Sequence, residues 1–372
     1  MIINQDSGYL MIDIANAFVE AGYEVSLIAG RVVERSTPLN ISITVDKIIR
    51  YRRSNYFLRL VTWIIAAVQI VFFVWLKYRG RKLLIVTNPP IAPLIPLVCR
   101  NPYSLLIYDL YVEKPEELPL LNARSIIVKV WKAVHIKVFS KADFLFTLTE
   151  GMRLNIEKFS KGKKCEVIPL WTDNDFLKPI PPQENWFINK HHLQGKFIVL
   201  YSGNIGISSG VEYLVEVASV IKSERIVFVI IGDGTRKQSI IRRIEKLRLE
   251  NCLVMPLQSV DVFPYSLASA DMAVVTLPPG SSGKAIPSKL FNYMSVGVPI
   301  LCLANSASEL GIIIENAKNG RCFDPECKEL IADYILWASS NPEAIIEMRG
   351  NSLRISKDYT KTNANQFITM IT

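Results

Sequence analysis

Thr276 to Leu303 reads TLPPGSSGKAIPSKLFNYMSVGVPILCL. The order is strand end, Gly/Ser-rich loop, short helix, tight turn and buried strand. Pro279, Gly280, Ser281, Ser282 and Gly283 resist regular structure and leave backbone N–H groups free. Pro287 and Ser288 suit a helix start, because Pro is tolerated in the first turn and Ser can cap. Lys289, Asn292 and Tyr293 then fall near one face of the first turns. A helix N-terminus beside such a loop and a lysine offers a place for an anion. The helix dipole supplies only about 0.3–2 kcal/mol, so the lysine and the loop amides must carry much of the affinity. An ordinary βα turn with a surface loop fits the same residues.

Outward from this stretch, the second half repeats a βα rhythm. Phe197–Tyr201 is a strand, Ser202–Gly210 a Gly-rich loop and Val211–Lys222 a helix. Arg225–Ile231 is a strand ending at Gly232-Asp233-Gly234, and Cys252–Met255 and Met272–Leu277 are further strands. Three loops, Ser202–Gly210, Gly232–Gly234 and Pro279–Ser288, thus sit at strand C-terminal ends, where open parallel sheets bind ligands. Glycine there lets the backbone approach a ligand and aim amides at phosphate oxygens. βα turns that need Gly for geometry alone remain the alternative.

The first half opens the same way. Met1–Asn4 is a short strand, Tyr9–Ala21 an amphipathic helix and Glu24–Ala29 a strand, which together imply a parallel sheet. Leu83–Thr87 and Leu105–Tyr108 are strands followed by Asn88-Pro89-Pro90 and by Asp109-Leu110-Tyr111. Trp171–Lys196, with Pro179, Pro181 and Pro182, reads as a linker. The expected division is 1–170, a linker over 171–196, 197–345, and a helical end over 346–372 that crosses back to the first domain.

The 372 residues carry 43 Lys+Arg against 34 Asp+Glu, a net charge of +9 that favours anionic partners. Half the residues are hydrophobic and the mean hydropathy is +0.24, high for a freely soluble enzyme. Six scattered cysteines without a CxxC pair imply a reduced, cytoplasmic protein with neither disulfide frame nor zinc site. Asp6, Asp13 and Glu20 interrupt any leading apolar run, so no cleavable signal peptide is expected. The basic residues flank apolar segments rather than alternating with stacking aromatics, which argues against nucleic acid.

Leu60–Leu76 is apolar except for Thr62 and Gln69, with Arg50, Arg52, Arg53 and Arg59 before it and Lys77, Arg79, Arg81 and Lys82 after it. Its length nearly spans a bilayer. One crossing would split a single sheet across the membrane, and charge at both ends gives no positive-inside asymmetry. The expectation is a helix partly in the core, with segment 57–82 facing a membrane. Ser125–Lys141, where lysines interleave with Val130, Trp131, Val134 and Phe139, joins that surface. His135 is expected to be structural.

The motifs resemble the family-4 glycosyltransferases. Tyr201-Ser202-Gly203-Asn204-Ile205-Gly206, Ile231-Gly232-Asp233-Gly234 and Pro287 through Pro299 are similar to the family's donor domain in order and spacing. Thr87-Asn88-Pro89-Pro90, Asp109-Leu110-Tyr111 and the hinge Val167-Ile168-Pro169-Leu170-Trp171-Thr172-Asp173 are similar to it more loosely. The resemblance implies an α/β GT-B fold, two Rossmann-like domains facing across a cleft. It implies a retaining transferase without bound metal, and we expect no cofactor. A nucleoside-diphosphate sugar, of the UDP class, would bind Gly203, Asn204, Gly206, Ser209, Gly232, Asp233, Gly234, Lys284, Pro287, Ser288, Lys289 and Asn292. A polyprenyl-diphosphate-linked acceptor would meet Gly8, Asn88 and Pro89, and Asp109 is the candidate catalytic residue. The expected place is peripheral, on the cytoplasmic face of the inner membrane, in surface-polysaccharide assembly.

The chain departs from the family where Lys284 and Asn292 stand at a commonly paired Glu-x7-Glu. Asn204 and Ser209 stand at the usual Arg and Lys. Those changes motivate a second reading, an inactive GT-B scaffold that recruits partner transferases. A third, a sugar-nucleotide epimerase, needs acid/base carboxylates near the donor, which Lys284 and Asn292 do not supply.

Overall fold

The computed structural model describes residues 1–52, 56–110, 126–207, 209–277 and 286–371. The chain divides into unit 1, Met1–Leu170 with Lys361–Thr372, and unit 2, Trp171–Thr360.

In unit 1 the strands are β1 (Ile2–Ile3), β2 (Asp6–Ser7), β3 (Ser26–Ala29), β4 (Arg31–Val32), β5 (Thr44–Lys47), β6 (Leu83–Val86), β7 (Tyr103–Leu106), β8 (Leu145–Thr147) and β9 (Cys165–Val167). Seven of them form a parallel sheet in the order β5-β3-β1-β6-β7-β8-β9, and β2 pairs with β4 alone. All four residues of β6, LLIV, are buried, as expected of a strand covered on both faces. The strand order reverses between β1 and β6, so their C-terminal loops bound a crevice.

The apolar segment is one helix, Tyr56–Leu76. Ala66, Ile70 and Val74 lie in the unit 1 core with Ile3, Ile85 and Leu105. Phe57, Ile64, Ile65, Val68, Phe72, Trp75 and Leu76 are exposed on the same helix. By length and composition this helix could cross a membrane. Its C-terminal end is tied to the sheet: the buried Asp46 of β5 accepts from Lys77 Nζ and from Tyr78 Oη, both at 2.5 Å. The short helical turn Ala92–Leu97 that follows β6 packs on this helix and on the helix Ile126–Lys141.

Unit 2 contains β10 (Phe197–Ser202), β11 (Ile226–Ile231), β12 (Cys252–Met255), β13 (Met272–Thr276), β14 (Ile300–Leu303) and β15 (Gly320–Phe323). They form a parallel sheet in the order β12-β11-β10-β13-β14-β15, so the order reverses between β10 and β13. The edge strand β15 was not expected from the sequence, since four residues opening on Gly carry little strand signal.

Two sequence boundaries differ. Residues 171–196, read as a linker, pack into unit 2. Leu177 and Phe187 are fully buried there, Asn185 caps the helix Trp186–Lys190 through Phe187 N at 3.1 Å, and its amide donates to Tyr265 O at 2.9 Å. The prolines mark the entry to a packed segment rather than a free tether. At the other end, the helix Pro342–Ser356 stays in unit 2 and the chain rejoins unit 1 only at Lys361. Phe367 then packs edge-on against Phe146, ring centroids 4.9 Å apart.

Gly297 closes the helix Lys289–Ser295 in the left-handed region, φ +72°, and a Cβ there would lie 3.0 Å from Leu353 Cγ. Gly297→Ala is therefore expected to cost about 1–3 kcal/mol. Urea unfolding measures this as a lowered midpoint, and an unshifted midpoint contradicts it.

Candidate functional site in unit 2

The loops after β10 and β11 are locked together by backbone. Gly203 N donates to Ile231 O at 2.9 Å, Ile205 N to Asp233 O at 2.8 Å and Arg236 N to Ile205 O at 2.9 Å. The approach is too close for side chains. A Cβ on Gly232 would lie 2.0 Å from Gly203 O, and one on Gly234 would lie 2.4 Å from Ile205 O. Gly203 (φ +152°) and Gly234 (φ +149°) also hold conformations that favour glycine. Ser209 is buried, and its hydroxyl donates to Gly206 O at 2.7 Å. Thr276 Oγ1, at the end of β13, donates to Ser209 O. Ser209 therefore shapes the loop and has little left to offer a ligand. Asn204 and Asp233 are exposed. Asp233 accepts from Gly234 N at 2.9 Å, and its carboxylate suits a hydroxyl or amine better than a phosphate.

The helix Lys289–Ser295 faces these loops from the other side of the reversal. Tyr293, fully buried, accepts from Ser202 N through its phenol oxygen at 2.9 Å. That bond fixes the helix to the end of β10. One turn earlier on the same face, Lys289 Nζ lies 3.6 Å from the centroid of the Tyr201 ring. Gly203 lies beside it, where a Cβ would come within 3.0 Å of Nζ. Tyr201 is held in turn by its hydroxyl, which donates to Asn204 O at 2.7 Å. Burial lowers the Lys289 pKa to about 7 and raises that of Tyr201 to about 12. It pushes the Tyr293 phenol up as well.

Asn292 is half-buried and its Oδ1 accepts from Thr172 Oγ1 at 2.6 Å. Pro287 O accepts from Leu290 N at 3.0 Å, as the first helical turn requires. Ser288 does not cap with its side chain. Its own backbone is already helical, φ −58° and ψ −23°, whereas a capping residue needs an extended one. Lys284 lies outside the described residues, with the rest of 278–285. The structure thus brings together Gly203, Asn204, Gly206, Gly232, Asp233, Gly234 and Lys289. It adds Tyr201 and Tyr293 as the supports of the loop and the lysine, roles not foreseen from sequence. The advance signs were an aromatic residue directly before Ser202-Gly203 and the helical spacing that sets Tyr293 on the face of Lys289.

In unit 1 the sequence candidates gather at the β1/β6 reversal. Gln5 N donates to Asn88 O at 3.0 Å, which joins the two loops. Gly8 precedes the helix Tyr9–Glu20, and open space surrounds the position its Cβ would take. Pro89 follows Asn88 and is buried. Asp109 is exposed just beyond β7, with its N–H 3.3 Å from Thr87 Oγ1. Burial and the neighbouring Tyr9 push the Tyr108 phenol up. His135 is buried against Trp131 and Phe139, and burial lowers its pKa, as fits a structural residue. Among the described residues no group of three His, Cys, Asp or Glu side chains is placed to hold a metal.

Tyr293→Phe leaves Ser202 N without its partner. The expected cost is about 1–3 kcal/mol, read in denaturant unfolding with far-UV circular dichroism unchanged. No loss of stability would mean that the helix is held in place without this bond.

Residues 182–352 match the family described as glycosyl transferases group 1. WbjE of Pseudomonas aeruginosa, assigned as a glycosyltransferase, is 28% identical over 250 residues, covering 65% of this chain. WcaI of Escherichia coli strain K12, assigned as a glycosyl transferase of colanic acid biosynthesis, is 34% identical over 149 residues, covering 40% of this chain. The matched stretches span 62% and 37% of those two proteins. The crystal structure of Anabaena Alr3699/HepE in complex with UDP-glucose has a TM-score of 0.74 at 14% identity, covering 100% of this chain and 98% of that one. The fold is GT-B, with two Rossmann-like halves, and the similarity to the group 1 glycosyl transferases lies in residues 182–352, within the second half.

Proposed function

We propose that the chain transfers a sugar from a nucleoside-diphosphate sugar of the UDP class to a lipid-linked saccharide, in surface-polysaccharide assembly. Lys289 carries this reading. Its amine has no partner among the described residues except the Tyr201 ring, and it stands at the reversal of a parallel sheet beside the loops that follow β10 and β11. An anionic diphosphate supplies the missing counter-charge. The departing nucleotide is then stabilised by Lys289 and by loop amides without a metal. In transfer with retention, the leaving diphosphate itself can take the acceptor proton, so the protein chiefly positions reactants. Asp109 orients the acceptor, which meets Gly8, Asn88 and Pro89 in unit 1. The group 1 domain and the polysaccharide-assembly assignment of WcaI support the same reading.

The exposed face of the helix Tyr56–Leu76 supports a lipid partner. Phe57 is 74% exposed, Val68 65% and Leu76 67%, and Leu97, Val98, Ile126, Ile127 and Val130 extend the apolar surface. Exposed Arg79, Arg100, Lys129 and Lys137 rim it. Each basic residue near an anionic bilayer adds about 1 kcal/mol. The chain would lie on the cytoplasmic face of the inner membrane, peripherally, because the opposite side of the same helix belongs to the unit 1 core.

Asn292 favours a second reading. A carboxamide, bonded to Thr172, stands where the resembled family usually has a carboxylate, and an inactive scaffold would tolerate that. Transfer of radiolabel from a panel of UDP-sugars into a lipid extract decides between them. Incorporation is expected, and failure of UDP and every UDP-sugar to bind by calorimetry favours the scaffold. Lys289→Ala should weaken donor binding about 10- to 100-fold, and near-normal binding would remove Lys289 from the donor site.

Val68→Glu with Phe72→Glu should lower co-sedimentation with anionic vesicles while leaving the fold intact. Equal sedimentation of the variant and the parent would remove the helix face from the lipid contact.

A further inference from the structure

We propose that Cys302 and Cys322 are an oxidisable thiol pair, which a small peroxide converts to a disulfide that ties the edge strand β15 to β14. This does not depend on the donor reading above.

Strand register sets the pair. β14 and β15 run parallel, and Cys302 stands opposite Cys322. Residues paired across adjacent strands project to the same face, so the two thiols share one side of the sheet. Leu301 and Leu303 turn to the other side, into the unit 2 core. The sulfurs are 3.2 Å apart, and Cys322 Sγ also lies 3.4 Å from Ala304 O. Among the described residues no other two cysteines are hydrogen-bonded to each other.

The backbone already allows the bond. Adjacent strands stand about 4.7–4.9 Å apart, inside the span of about 4.4–6.8 Å that a disulfide makes between α-carbons. A disulfide is about 2.0 Å long, so from 3.2 Å the sulfurs close by only about 1.2 Å. β14 is paired on both sides, by β13 and β15, whereas β15 pairs only with β14. The edge strand is therefore the partner that can shift. A metal fits the pair poorly. Zinc–sulfur bonds are about 2.3 Å long, so sulfurs in contact cannot hold an ion between them. Among the described residues no group of three His, Cys, Asp or Glu completes such a site.

Exposure sets the order of events. Cys302 is fully buried and Cys322 is 8% exposed, so a small oxidant such as hydrogen peroxide meets Cys322 first. The Cys322 thiolate attacks one peroxide oxygen, the O–O bond breaks, and the products are a sulfenic acid and hydroxide. The Cys302 thiolate then attacks the Cys322 sulfur and displaces a second hydroxide. The two protons given up by the thiols convert both hydroxides to water. Two thiols lose two electrons, and one peroxide gains them.

The bond closes the loop 302–322, which contains the helix Glu309–Ala317. Glu315 of that helix already accepts from Cys322 N at 3.0 Å, so helix and edge strand are restrained together.

Peroxide treatment of the whole chain, alkylation of the remaining thiols after unfolding, and peptide mapping without reduction locate the bond. A peptide pair joined through Cys302 and Cys322, and separated by dithiothreitol, is expected. Cys302→Ala is expected to stop at a sulfenic acid on Cys322, trapped by dimedone, with no joined peptide. Hydrogen exchange of the amides of 320–323 is expected to slow in the oxidised parent chain and to recover on reduction. The proposal is overturned if Cys302 and Cys322 stay as thiols in excess peroxide. It is equally overturned if Cys322 passes to sulfinic acid without a joined peptide, or if exchange at 320–323 is unchanged in the bridged chain.

Discussion

The bond from Ser202 N to the Tyr293 phenol organises unit 2 at the C-terminal end of its central strands. It joins the last residue of β10 to a helix that begins almost ninety residues later, across the reversal in strand order. A buried backbone N–H at a strand end has no ladder partner to fall back on, so its side-chain acceptor must be held in place. Tyr293 is held by full burial. Once it is fixed, helical spacing decides where Lys289 goes, one turn back and over the neighbouring aromatic ring. The chemistry of the site is thus a consequence of how a strand end is terminated.

Unit 1 meets a different demand. The helix Tyr56–Leu76 is apolar on both sides, one facing the sheet and the other open. Burying one side stabilises the domain, while the other remains to be covered. Asp46 anchors the C-terminal end of this helix through Lys77 and Tyr78, so the outward face keeps a defined orientation with respect to β5. This fixed apolar face, with exposed basic residues near it, is what the proposed lipid contact rests on.

Much of this was legible in the residues. Runs such as LLIV and FIVLYS announce buried parallel strands, and Gly203, Gly232 and Gly234 mark the turns that admit no side chain. The setting of Lys289 was not legible, because only the sheet order brings Tyr201 and Gly203 near it. Ser288 looked like a cap but adopts helical dihedrals, a choice made by tertiary context over propensity. The proline cluster before Trp186 looked like a linker because composition cannot show that Phe187 has a core to enter. The double-faced helix was recognisable by length, but which side turned inward followed only from the packing of Ala66, Ile70 and Val74.

The contact between Gly232 and the carbonyl of Gly203 has a practical consequence for protein engineering. The two turns are sterically a single object, so neither can be exchanged for a homologous segment without the other. A chimera of this domain would have to transplant 203–206 and 232–234 as a pair. Library designs that randomise one turn alone would sample mostly misfolded sequences, and their failures would say nothing about recognition.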